Sequence, residues 1–127
     1  MPDRLKSWCV AFAAWLVLLP SLGAADLNEL KVLYVGDPGT PRAREFEGFL
    51  KLNCGKVAVA SRRGFQRDQA KDFDVVLLDW PQSSRENGAE PTRSPLGDRE
   101  AWAKPTVLLG SAGLLTAEVW EVKGGFG

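Results

Sequence analysis

"FDVVLLDWPQ", Phe73–Gln82, is the stretch that decides the fold. Val75–Leu78 are continuously apolar and half of them β-branched, and the run is closed by Asp79, Trp80 and a proline turn. A short apolar run with turn residues behind it reads as a strand buried on both faces. Such strands belong to parallel sheets covered by helices on both sides. Val75–Leu78 is therefore expected at the centre of the sheet, with Asp79 at its carboxyl end.

Working outward, three more runs have the same character. "LKVLYVG" (Leu30–Gly36), "KVAVA" (Lys56–Ala60) and "KPTVLLG" (Lys104–Gly110) complete a set of four strands. Pro105 stands at a strand start, where its missing N–H is tolerated. Between the first two runs, Ala43, Phe46, Phe49 and Leu50 recur at helical spacing, with Arg42, Glu45 and Lys51 opposite. Thr40 is a good N-cap and Pro41 suits the first helical position. Gly55 is expected to end this helix in the left-handed region. Short helices are expected over Phe65–Lys71 and over "LGDREAWA", which carries Trp102. A last helix is expected over Leu115–Val122, stopped by Gly124 and Gly125. Gln82–Gly97 has no apolar period and reads as a long exposed loop. Strand and helix thus alternate four times. This predicts a three-layer α/β domain of flavodoxin-like architecture, with a parallel sheet of about four strands. The chain stops where a fifth strand would begin. Either the sheet has four strands or it lacks its last one, and an open edge makes a homodimer an expectation to test.

The first quarter reads differently. Arg4 and Lys6 precede an apolar run, Trp8–Leu19, followed by Pro20 and the small residues Gly23, Ala24 and Ala25. This is the three-part pattern of a secretory signal peptide, residues 1–25, ahead of a domain at 26–127. The run of about 12 residues is shorter than the roughly 20 a spanning helix needs. Contact with a membrane is therefore expected only through the signal peptide before cleavage. The expected location is beyond the inner membrane, periplasmic or extracellular.

Composition excludes several function classes. Lys and Arg number 16, as do Asp and Glu, so no basic surface recommends a nucleic-acid partner. There is no histidine. The commonest general base and metal ligand is therefore missing, along with the usual partner of a Ser or Cys nucleophile. Cys54 is alone once residues 1–25 are removed, and a buried packing role suits it best. "GDPGT" (Gly36–Thr40) lacks both the P-loop lysine and the dinucleotide fingerprint, and it reads as a turn. Ser111 has Leu109 where a nucleophile elbow needs Gly, and it reads as a helix cap. Trp80, Trp102 and Trp120 read as core or rim packing, and Arg62, Arg63 and Arg67 as a solvated face. No catalytic set, cofactor or metal is assigned.

Ligands of open parallel sheets bind beyond the carboxyl ends of the strands. Asp37, Asp79 and Ser111 stand at three such ends and are the candidate ligand-binding residues. Their placing resembles receiver domains of response regulators, whose acidic, phospho-acceptor and hydroxyl positions these three residues match in turn. That resemblance implies a phospho-acceptor at Asp79. Receivers, however, carry a pair of acids after strand one, where Asp37 lies between Gly36 and Pro38, and a lysine after strand five. "KVLYVG", "DFDVVLLDW" and "KPTVLLG" together resemble the class I glutamine amidotransferase-like superfamily, including trehalose-utilisation-like (ThuA-like) proteins. This second resemblance implies a flavodoxin-like fold. Cys54 follows a helix rather than a strand, so the superfamily's nucleophile does not carry over. The leading expectation is an exported, non-catalytic domain that binds an unknown protein or small ligand. The alternative is a divergent relative of that superfamily binding or acting on a carbohydrate or other small ligand.

Overall fold

β1 (Lys31–Gly36) is buried on both sides, from Val32 to Gly36. Val32 and Tyr34 face one core cluster, and Leu33 and Val35 the other. That alternation is the pleat of one strand sandwiched between two layers. The computed structural model describes residues 26–81 and 93–122. The segment read as a signal peptide, most of the loop after Pro81 and the Gly124–Gly125 stop lie outside the described residues.

β1 pairs in parallel with β2 (Lys56–Ser61) on one side and with β3 (Val75–Asp79) on the other. β3 also pairs in parallel with β4 (Thr106–Leu109). The order β2-β1-β3-β4 is compatible with a flavodoxin-like fold. It places β3 inside the sheet and the point where strand order reverses between β1 and β3. Among the described residues β4 has a neighbour only on its β3 side, and Val107 and Leu108 are exposed there.

α1 (Pro41–Asn53) covers the Val32–Tyr34 face. It starts as its sequence requires, with the Thr40 hydroxyl accepting from Ala43 N–H at 3.2 Å and Pro41 in the first turn. Ala43, Phe46 and Leu50 pack inward, but Phe49 is 63% exposed, because it lies on the flank of α1 rather than over the sheet. The helix ends differently from the expectation. Cys54 is the cap, extended, with its N–H on Leu50 O at 2.8 Å, and Gly55 is not left-handed. Gly55 is needed for closeness instead, since a Cβ there would stand 2.2 Å from the Asn28 carbonyl oxygen.

The opposite face packs Leu33, Val35, Val76 and Leu78 against Ala70, Phe73, Leu96, Ala112 and Leu115. Each Val, Leu or Phe among them, fully buried, contributes about 1.5–3 kcal/mol. Two expected helices here are single 3₁₀ turns, Arg67–Ala70 and Arg99–Ala101. Each is one turn between polar flanks, too short to repay helix nucleation. Leu96 is 1% exposed, so the end of the expected loop is core. The last helix, α2, spans Ala112–Val119 and starts earlier than expected. It closes without a glycine: Glu121 is left-handed at φ 50° and Val122 N–H bonds Ala117 O at 2.8 Å. No helix among the described residues is long and apolar enough to cross a membrane.

Candidate functional site

The parallel sheet delivers four strand ends to one edge. Asp37 follows β1, Arg62 follows β2, Asp79 closes β3, and Gly110 and Ser111 follow β4. Asp79 is 1% exposed. Its Oδ2 accepts from Tyr34 Oη at 2.5 Å and from Arg42 Nε at 2.7 Å, and its Oδ1 accepts from Arg42 Nη2 at 3.0 Å. The arginine grips both oxygens in a two-pronged pair, the strongest common form of this contact.

Each partner is placed by its own element. Tyr34 points to the α1 side from β1, and its ring passes over Gly36 to reach Asp79. A Cβ on Gly36 would sit 2.7 Å from Tyr34 Cε1. β1 and β3 align Val35 with Leu78, so continuing that register puts Gly36 level with Asp79. Arg42 enters from the first turn of α1, with its guanidinium over the Phe46 ring at 5.2 Å. Burial, and next the hydrogen bond to Asp79, hold the Tyr34 hydroxyl well above its ordinary value of 10.0. The bond to Asp79 also raises Arg42.

Asp37 has a different partner, Arg62 Nε at 3.0 Å. The Arg62 side chain is 8% exposed and its guanidinium lies 5.7 Å over the Trp80 ring. It is therefore not part of a solvated face. Each of the two candidate carboxylates is thus paired with its own arginine. Among the described residues no group of three or more metal-ligating side chains is gathered. Ser111 sits at the N-cap of α2 in helical conformation, and its side chain makes no cap hydrogen bond. Its neighbour Gly110 is close to the central pair: a Cβ there would lie 3.8 Å from Asp79 Oδ1 and 3.6 Å from Arg42 Nη2.

Beyond β2 and β3 the same edge opens into a cavity of about 630 Å³, lined by Arg62, Phe65, Arg67, Trp80, Arg93 and Leu96 among others. A neighbouring cavity of about 530 Å³ shares Arg93 and includes Trp120. Two tryptophans are satisfied structurally: Trp102 Nε1 donates to Thr106 Oγ1 and Trp120 Nε1 to Gly97 O, each at 2.8 Å. Trp80 is 6% exposed, and its Nε1 has no hydrogen-bond partner among the described residues.

Sequence reasoning missed Tyr34, Arg42 and the burial of Arg62. The only local signal was an unpaired acid at the end of a buried strand, which demands a cation somewhere. No family model matches the chain, and no curated protein or solved structure matches it.

Proposed function

We propose that this chain is an exported, non-catalytic α/β domain of flavodoxin-like layout whose role is binding. The observation that carries the reading is the state of Asp79. A phospho-acceptor or general base must present a carboxylate oxygen to its reactant. Here both oxygens are held by Tyr34 and Arg42, in a residue 1% exposed. Asp37, the other acid of the edge, is held by Arg62. Charges neutralised in this way build a rigid edge rather than a reactive one. The cavity beside them, walled by Trp80 and arginines, favours a small ligand over a reaction centre. It also keeps the second reading in play, a divergent amidotransferase-like domain taking a carbohydrate or other small molecule.

Intact-mass measurement tests the proposal. Material recovered from the cell envelope of an expression host is expected to begin at Asp26. Incubated with acetyl phosphate and Mg²⁺, it is expected to gain no phosphoryl group. An adduct present in the parent and lost in Asp79→Asn would overturn the non-catalytic reading. A chain that keeps residues 1–25 and stays in the cytoplasm would overturn export.

A further inference from the structure

We propose that the cavity beyond β2 and β3 binds a small organic phosphate, its phosphoryl group between Arg67 and Arg93 and its organic body against Trp80, Phe65 and Leu96. The inference deepens the binding role proposed above and rests on it.

Charge is the first support. The described lining contains Arg62, Arg67 and Arg93 and no carboxylate. Arg62 is occupied by Asp37, whereas Arg67 and Arg93 make no ion pair with a described residue. The described lining of the neighbouring cavity, by contrast, mixes Arg93 and Arg99 with Asp98, Glu100 and Glu121. Among the described residues, the excess positive charge is therefore in the cavity beyond β2 and β3.

Geometry is the second. Arg67 donates Nη1 to the Ala101 carbonyl at 3.0 Å, which fixes the guanidinium and leaves further N–H donors. A carboxylate is satisfied by one arginine fork, as Arg42 satisfies Asp79 in this protein. Two arginines lining one cavity suit a group with three oxygens and up to two charges. Position agrees, since the cavity lies past the carboxyl ends of β2 and β3, the two parallel strands that flank β1.

The wall is the third. Trp80 is held from one side by Arg62, itself anchored on Asp37. Its buried indole N–H has no partner among the described residues, and buried donors left unmatched are uncommon in folded proteins. An aromatic face held in this way suits the planar or apolar body of a ligand.

The test is a titration of the ¹⁵N-labelled chain with phenyl phosphate, inorganic phosphate, benzoate and glucose. The readout is the Trp80 indole N–H resonance, identified by its loss in Trp80→Phe. Phenyl phosphate is expected to shift it saturably and to bind about tenfold tighter than benzoate. The double variant Arg67→Gln/Arg93→Gln is expected to weaken phenyl phosphate by about tenfold or more while its other resonances stay in place. Arg44→Gln, on α1 and away from the cavity lining, is expected to bind as the parent does. A weaker shift of the same resonance by inorganic phosphate supports the placing of the head group. Unweakened binding by the double variant would overturn the assignment. Saturation by glucose or benzoate without phenyl phosphate would overturn the phosphate and leave the binding role standing. No saturable shift with any of the four would overturn both.

Discussion

Asp79→Ala is expected to destabilise the domain by about 3 kcal/mol, because it strands a buried donor. Tyr34 is 1% exposed, so its hydroxyl cannot turn to water when the carboxylate goes. Arg42 can, since its side chain is 46% exposed, and its share of the loss is correspondingly small. In a domain this size the change corresponds to a fall in Tm of roughly 15 °C. The double variant Asp79→Leu/Tyr34→Phe is expected to recover much of the loss, because no buried polar group is left unmatched. Thermal melts of Asp79→Leu, Tyr34→Phe and their double variant supply the cycle. Additive losses with no recovery would show that Asp79 is not coupled to Tyr34.

The same hydroxyl sets an alkaline limit. Its proton is held more tightly in the folded chain than in the unfolded one, first through burial and then through Asp79. A folded value raised above the unfolded one contributes stability that is complete below the unfolded value of 10.0. That contribution is lost as pH rises past it. The urea midpoint of the parent is therefore expected to fall more than that of Tyr34→Phe between about pH 8 and about pH 11. Equal falls would remove Tyr34 as the cause, since lysines and other groups titrate alike in both proteins.

Gly36→Ala is the second large effect, expected at about 2–3 kcal/mol as an overpacking change. The added Cβ would meet Tyr34 Cε1 at 2.7 Å and Tyr34 Oη at 2.9 Å. The ring lies between β1 and α1, stacked on Phe46 with centroids 5.7 Å apart, so it has little room to yield. Moving it takes the hydroxyl off Asp79 as well. The substitution is therefore expected to lose its effect in part when Tyr34 is already Phe and Asp79 already Leu, since the hydrogen bond is then absent. Thermal melts in both backgrounds measure the difference. A Gly36→Ala protein that melts like its parent would contradict the close approach.

Much of the layout could be read from the residues. β1, β2, β3 and β4 are short apolar runs, and Thr40–Pro41 announces α1, because these signals depend on neighbours within a few positions. Errors fell where the deciding neighbour is remote. Gly55 looks like a left-handed helix stop, but it is small because the Asn28 carbonyl crosses it. Leu96 looks like loop, but it fills the core under α2. The 3₁₀ turns beginning at Arg67 and Arg99 had helical composition but too little length.

The candidate edge divides in the same way. Sequence alone determined that Asp37, Asp79 and Ser111 would stand at strand ends, because strand termini are written in local composition. It could not determine what they do there. Arg42 lies 37 residues from Asp79 in the chain and Tyr34 lies 45 away. Parallel pairing of β1 with β3, and the crossing of α1 above them, bring the three together. The state of a carboxylate depends on the charges and donors within a few ångströms. In a parallel sheet those neighbours come from strands that the chain must cross over to reach. Tertiary structure therefore decided that both oxygens of Asp79 are clasped by Tyr34 and Arg42, and that Arg67, Arg93 and Trp80 line one cavity.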